Sequence, residues 1–231
     1  MEVIKFTAQL REKQQLTSDI YEFRFEKPAI LDFLAGQFLQ FCIPQGDKII
    51  LRSYSISSTP ADDYLEFCVK FLEGGVASNH LKNMNIGDRL EFQGPRGLFV
   101  HKDNTDALSF IATGTGFAPI MGIIRDELEN KKNTGEVRLL FGVRTEDDMF
   151  WADRLKNLKI QYPNFVYDIT LSQPKADGGW GGLRGRVTEH ILHHLVNHKF
   201  YLCGNAAMVK DVREMLIKNG IDMKAIHFEI F

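Results

Sequence analysis

The rhythm of apolar residues changes once along the chain, near residue 100, and that change limits the fold more than any other property of the sequence. Before it, Tyr21, Phe23 and Phe25 alternate with Glu22, Arg24 and Glu26. In the same way Leu65, Phe67, Val69 and Phe71 alternate with Glu66, Cys68 and Lys70. Successive side chains of a strand point to opposite faces, so a period of two marks half-buried strands. Further strands are expected around Phe38–Ile43, Ser53–Ser57 and Arg89–Phe92, separated by turns at Pro44-Gln45-Gly46-Asp47 and Ile86-Gly87-Asp88. One short helix is expected over Ser78–Met84, opened by a glycine pair. Many short strands with turns between them predict a small antiparallel barrel or sandwich.

From about residue 105 strands and helices alternate. Strands are expected at Leu108–Ala112, Val137–Phe141, Phe165–Leu171 and Phe200–Cys203. Helices are expected at Phe117–Asn130, Met149–Leu158, Val187–Val196 and Ala206–Lys218, the last stopped by Asn219-Gly220. Short buried strands joined through helices require a parallel sheet covered on both faces. The expected organisation is therefore a β domain over residues 1–101 and an α/β domain over residues 102–231.

Charge and cysteine content narrow the function classes. Twenty-eight Lys and Arg against thirty Asp and Glu leave a net charge of −2, with no global attraction to nucleic acid or an anionic membrane. Cys42, Cys68 and Cys203 are scattered and odd in number, which rules out a disulfide framework, a four-cysteine zinc site or an all-cysteine iron–sulfur cluster built from this sequence. The opening MEVIKFTAQLREKQQ carries charges and no apolar signal core, and no apolar run reaches 18 residues, so a cytoplasmic protein without a membrane span is expected. Eighteen Phe imply aromatic-rich cores or a planar ligand.

Three segments carry chemistry. Thr113-Gly114-Thr115-Gly116-Phe117-Ala118-Pro119 joins an apolar strand to a helix. Its glycines let backbone N–H groups approach a phosphate at a helix N-terminus, and Pro119 suits the first helical turn. Tight β-α turns use the same pair for geometry alone. Arg52-Ser53-Tyr54-Ser55 sets an arginine able to fork onto a pyrophosphate two residues from a tyrosine able to cover a flat ring, with the small Ser55 hydroxyl beside it. A strand with an exposed Arg and a half-buried Tyr accounts for the same residues. Glu73-Gly74-Gly75-Val76-Ala77-Ser78 reads as a second anion-binding helix end, or as an ordinary N-cap.

These segments, followed by Cys203-Gly204-Asn205-Ala206-Ala207-Met208 and the closing Phe228-Glu229-Ile230-Phe231, occur in an order that resembles the ferredoxin–NADP reductase superfamily, in its compact bacterial flavin- and oxygenase-reductase branch. The resemblance covers essentially the whole chain. It implies an N-terminal Greek-key barrel holding FAD and a C-terminal five-stranded parallel domain holding NAD(P)H. By position, Arg52 and Ser53 would lie at the FAD pyrophosphate, Tyr54 beside the isoalloxazine and Ser55 near flavin N5. Lys70 would lie next to the flavin chain, and Gly74, Gly75, Val76 and Ser78 would close over the pyrophosphate. Thr113, Gly114, Thr115, Gly116 and Pro119 would face the nicotinamide dinucleotide. Cys203, Gly204 and Met208 would form the turn under the nicotinamide, with Glu229 and Phe231 near the flavin. Ser55, Cys203, Glu229 and Phe231 are thus the expected catalytic residues.

The resemblance implies an NAD(P)H-dependent flavoprotein reductase passing electrons to a separate acceptor, which would be a ferredoxin, an oxygenase component or free flavin. The alternative is a flavin-binding redox sensor or assembly subunit that turns over poorly. A scaffold using its barrel only for protein contacts is a third. A monomer is expected. Asn205-Ala206 replaces the proline found after Cys-Gly in many relatives, which implies a looser turn. Arg144 follows the second α/β strand, where the cofactor's 2′ position is read. With no acid at that strand end, it would pair a 2′-phosphate, yet the wider pattern leans to NADH. Phe231 is expected on the Glu229 face of a terminal strand Ala225–Phe231, as a cover for the flavin or as interface packing. His190, His193, His194 and His198 are expected on a helix surface, with no metal site, and Lys131-Lys132 in a solvated loop.

Overall fold

The computed structural model describes residues 3–103, 107–176, 179–191 and 197–231. The chain divides into two units, Met1–His101 with Met121–Asp126, and Lys102–Ile120 with Glu127–Phe231.

The first unit is a sheet of β1 (Ile4–Gln15), β2 (Ile20–Glu26), β3 (Phe38–Gln45), β4 (Lys48–Ser55), β5 (Tyr64–Lys70) and β6 (Arg89–Arg96). The strands run antiparallel in the order β4-β3-β6-β1-β2-β5. β6 returns between β3 and β1, a Greek-key crossing, and a bridge from Ile56 to Phe67 ties the end of β4 to β5 so that the sheet curls toward closure. Phe23, Phe25, Phe41, Phe67 and Phe92 fill the interior. The Phe41 ring lies edge-on at 4.8 Å to both Phe67 and Phe92, the arrangement in which a ring edge meets a negative ring face. The phenylalanine excess is therefore core in this unit.

β1 is a strand that the apolar pattern above leaves out, although Phe6, Ala8 and Leu10 alternate inward along it. Pro44 and Gln45 belong to β3 rather than to a turn, and β4 starts at Lys48, earlier than the expected Ser53. The two-residue connection Gly46-Asp47, with Gly46 at φ +57°, pairs the strands from Gln45 opposite Lys48 onward. Glu22 and Glu66 were expected on a solvated face but are 3% and 1% exposed. Arg24 explains both: its Nε lies 3.0 Å from Glu66 and its Nη2 3.3 Å from Glu22, so the charges compensate as they leave water.

α1 (Val76–Asn83) starts two residues before the expected Ser78, with Gly75 at the N-cap. Ser78 lies in the first turn and its hydroxyl accepts from the Leu72 N–H at 2.8 Å. At the other end, the Lys13 ammonium donates to the carbonyls of Leu81, Lys82 and Met84 at 3.1, 2.6 and 3.2 Å. It neutralises the negative end of the helix.

The second unit is a parallel sheet of β7 (Ala107–Thr113), β8 (Val137–Val143), β9 (Phe165–Leu171), β10 (Leu183–Arg184), β11 (His198–Gly204) and β12 (Ile226–Ile230). The order is β10-β9-β8-β7-β11-β12, with the two-residue β10 added to the five strands expected. Among the described residues its α-helices are α3 (Ala152–Gln161) and α4 (Ala206–Lys218), together with the start of α2 (Phe117–Arg125), whose residues from Met121 group with the first unit. α2 runs on as a π-helical turn over Asp126–Asn130. From the central β7 the chain moves to β8 on one side and later returns to β11 on the other. The C-terminal ends of β7 and β11 therefore flank the switch point, where open α/β sheets bind ligands.

α3 begins at Ala152 rather than Met149, because Trp151 adopts φ +58° and packs its ring, with that of Phe150, against Phe117. The helix expected over Val187–Val196 is one 3-10 turn at Val187–Glu189, and residues 192–196 lie outside the described residues. His193 and His194 fall there. His198 is no surface histidine: it is buried at the start of β11 with Nδ1 2.8 Å from Ser109 Oγ. Lys131 is held by the fully buried Glu127 at 2.6 Å, so the Lys131-Lys132 pair is only partly solvated.

Candidate functional site

In the barrel unit the sequence-predicted residues converge on one strand and one helix start. On β4, Tyr54 and Arg52 sit opposite Leu39 and Phe41 of β3, so both share the face that carries the core. Tyr54 is half-buried with its ring 4.6 Å from Phe41, while Arg52, beyond the aromatic cluster, is exposed and donates to the Leu51 carbonyl at 2.9 Å. Ser53 faces the other way. Ser55 ends the strand at 4% exposure, and its Oγ is buried without a hydrogen-bond partner. Lys70, at the end of β5, pairs with Asp19 at 2.9 Å. Gly74 takes φ +70° with open space where a Cβ would stand, and Gly75 and Val76 open α1.

In the α/β unit the candidates are backbone turns locked together. Thr113 ends β7, and Gly114–Gly116 form a 3-10 turn leading into α2, with Pro119 buried in its first turn. A Cβ on Gly116 would collide with the Cys203 carbonyl group, and one on Gly204 with the Thr113 hydroxyl and the Met208 methyl. Both turns sit at the switch point. The expected looser turn at Asn205-Ala206 is instead firmly capped. Asn205 accepts from the Met208 N–H at 2.9 Å, which closes the first turn of α4. An Asn directly before a helical apolar pattern is itself a cap signal in the sequence.

Cys203 and Glu229 are register neighbours on β11 and β12. Burial, with the Glu229 charge adding to it, pushes the Cys203 thiol well above its usual range, so it is a neutral group at physiological pH. Burial raises the Glu229 carboxyl to about 7, and its Oε2 has no hydrogen-bond partner. Such a carboxyl can hold or release a proton near neutrality. Phe231 follows the end of β12, is 53% exposed and donates its N–H to the Gly204 carbonyl at 3.1 Å. Arg144 is exposed just after β8. Of the acids that follow it, Asp148 caps the turn through Thr145 and Asp147 pairs with Lys175 at 2.7 Å. Among the described residues no group of His, Cys, Asp and Glu could hold a metal ion, and no helix is long and apolar enough to cross a membrane.

Two family models match the chain: an oxidoreductase FAD-binding domain over residues 7–101 and an oxidoreductase NAD-binding domain over residues 110–214. With the Greek-key sheet and the parallel sheet, they define a two-domain oxidoreductase of the flavin and nicotinamide dinucleotide class. The chain is 32% identical to ferredoxin–NADP reductase B of Sorangium cellulosum, over 97% of its own length and 96% of that protein. It belongs to the ferredoxin–NADP reductase family. It is also 31% identical, over 94% of its length, to the ferredoxin–NAD(P)(+) reductase component of naphthalene 1,2-dioxygenase/salicylate 5-hydroxylase systems from a Ralstonia species. An Amycolatopsis cytochrome P450 reductase structure superposes with a TM-score of 0.89 at 28% identity, covering 99% of this chain and 70% of that one. The chain spans 66%, 59% and 65% of the length of three of the curated relatives it matches.

Proposed function

We propose that this chain is an NAD(P)H-dependent reductase that passes electrons through FAD to a separate acceptor, a ferredoxin, an oxygenase component or free flavin. The observation that carries the reading is the buried, unpartnered Ser55 hydroxyl, at the end of the strand that bears Arg52 and Tyr54. A buried polar atom left without a partner costs about 1–3 kcal/mol, which a ligand atom at that position recovers. The exposed Arg52 guanidinium and the open Gly74–Val76 helix start supply the positive groups that a dinucleotide pyrophosphate requires. The donor set therefore fits FAD.

When bound, the flavin supplies the redox chemistry, accepting two electrons from the nicotinamide and releasing them to the acceptor. Arg52, with Gly74, Gly75 and Val76, would hold the pyrophosphate, while Ser53 lies on the other face of β4 and stays outside the group. Tyr54 would flank the ring, and Lys70 the chain between ring and phosphates. Ser78 keeps the glycine loop closed through the Leu72 N–H. Ser55 would hydrogen-bond flavin N5. In the α/β domain Thr113, Gly114, Thr115, Gly116 and Pro119 form the dinucleotide turn. Cys203, Gly204 and Met208 form the turn that orients the nicotinamide. Glu229, poised near neutrality, would hold the exchangeable proton, and Phe231 would act as a cover or as packing.

In this reading the FAD-binding domain is residues 1–101 and the nicotinamide domain is residues 102–231, in a cytoplasmic monomer. Arg144 reads the 2′ position with a lean to NADH. Adding NADH or NADPH without oxygen to the FAD-reconstituted protein tests the function. Rapid bleaching of the flavin bands supports it. A yellow protein that does not bleach would be a sensor, and one that takes up no flavin would end the assignment.

A further inference from the structure

β4 ends at Ser55, and the chain then crosses between two strands. The Ile56 N–H donates to the Gln37 carbonyl, just before β3, at 2.9 Å, and the Ser57 N–H donates to the Glu66 carbonyl of β5 at 2.8 Å. Ile56, Ser57, Ser58 and Thr59 are all buried. The hydroxyls of Ser57 and Ser58 are used inside the barrel: the first donates to the Glu66 carboxylate and the second accepts from the Glu66 N–H, each at 3.0 Å. The Ser55 hydroxyl has no such partner. A crossing segment makes one bond to each side instead of a continuous ladder, so the sheet alone holds Ser55 loosely.

The second half of α2, which groups with the barrel, supplies the missing support. A Cβ on Gly122 would stand 3.0, 3.4 and 3.3 Å from the carbonyl oxygens of Ile56, Ser57 and Ser58. The segment therefore curves around this one position, and hydrogen is the only side chain that fits without a shift. Arg125 is three residues on, along the same helix face, and forks onto Asp62 with Nη1 to Oδ2 at 2.8 Å and Nη2 to Oδ1 at 3.1 Å. Asp62 Oδ2 also accepts from the Thr59 N–H at 2.7 Å. The two side chains are 19% and 15% exposed, so salt screens the pair little. One helix face thus grips the segment at both ends, through Gly122 at Ile56–Ser58 and through Arg125 and Asp62 at Thr59.

We infer that Gly122 and Arg125 are positioning residues that set the Ser55 hydroxyl at the flavin, acting through the Ile56–Thr59 segment. The inference rests on the flavoprotein reading above and adds to it the elements that aim the hydroxyl. Arg125→Lys keeps the charge, but one ammonium cannot fork onto both carboxylate oxygens. Gly122→Ala pushes the three carbonyls away by a few tenths of an ångström, and Ser55, the neighbour of Ile56, moves with them.

The test joins two readouts. In the apoprotein, hydrogen exchange at the Ile56 and Ser57 amides should quicken by at least about tenfold in Arg125→Lys, with the central amides of β2 unchanged. In the FAD-loaded protein, anaerobic flavin reduction at saturating NAD(P)H should slow about three- to tenfold in Arg125→Lys and in Gly122→Ala. Neither replacement should slow it further in a Ser55→Ala background, because both act through that hydroxyl. Amide exchange and reduction equal to wild type would overturn the inference. So would slowing that multiplies with that of Ser55→Ala, since α2 would then act on another group. Both results leave the flavoprotein reading standing, whereas a wild-type protein that takes up no FAD, or does not bleach with NAD(P)H, would overturn both. Arg125→Lys alone decides if Gly122→Ala does not fold.

Discussion

Gly74-Gly75 of the barrel and Gly114–Gly116 of the α/β unit each precede a helix, yet they answer to different constraints. A Cβ on Gly74 would meet nothing within 4 Å, and one on Gly75 would stand 3.0 Å from the Ser78 hydroxyl. A Cβ on Gly116 would collide with the Cys203 backbone. Gly74 keeps a surface clear for something that approaches from outside, while Gly75 also meets its own loop, 3.1 Å from the Leu72 carbonyl. In the second turn, Gly116 lets two strand-end turns touch. The same contrast extends to the side chains: the barrel offers exposed Arg52 and Tyr54 with its polar tip, while the α/β unit offers backbone turns backed by buried Cys203 and Met208. Ligand contacts in the barrel should therefore separate from stability, and those in the α/β unit should not.

The largest effect expected is on Gly116→Ala. Backbone must shift to admit the methyl, so the apoprotein should lose about 3 kcal/mol, whereas Gly75→Ala should lose about 1 kcal/mol or less. Urea titration of both variants checks this, and equal losses would erase the distinction between the turns. Next comes Arg52→Ala, which should weaken FAD binding about ten- to a hundredfold, the worth of a charge-assisted contact, with the apoprotein melting temperature unchanged. Calorimetry with FAD and a thermal melt without it give the two numbers.

Lys13→Met sharpens the contrast within the barrel, because α1 is held at its C-terminal end by protein and open at its start. Three carbonyls lose their ammonium donor, and about 1–2 kcal/mol of stability should go with it. Lys13→Arg should restore part of it in the same urea titration. The smallest effect is a slope. Glu229 has a folded pKa of about 7 against an ordinary 4.5, so the unfolded chain releases its proton first as pH rises. Its contribution to stability therefore falls between about pH 4.5 and 7 and is level above that, softened by solvent around a half-buried carboxyl. Glu229→Gln should remove this slope from a pH series of melts, and a variant with an unaltered slope would assign the decline to other groups.

Much of this organisation is legible in the residues. The period-two runs located β2 and β5, and α4 and β9 begin and end where their patterns do. What escaped depends on partners distant in sequence. Glu22 and Glu66 look solvated until Arg24 stands between them. His198 reads as one more surface histidine until Ser109, 89 residues away, receives it. Trp151 fits a helical pattern, and only its packing against Phe117 moves the start of α3. The motifs likewise name Ser55, Cys203 and Glu229 as individuals. That Ser55 lacks a partner, and that Glu229 lies beside Cys203 with an open oxygen, are properties of packing and register.

The central claim, that the barrel holds a flavin whose reduction depends on a hydroxyl kept without a protein partner, is tested most directly by Ser55→Ala. Removing a buried hydroxyl that bonds to nothing should leave the apoprotein melting temperature equal or slightly higher. The same change should slow anaerobic flavin reduction at saturating NAD(P)H by at least about tenfold, the worth of one hydrogen bond in the reacting complex. A variant that reduces its flavin at the wild-type rate would contradict the account.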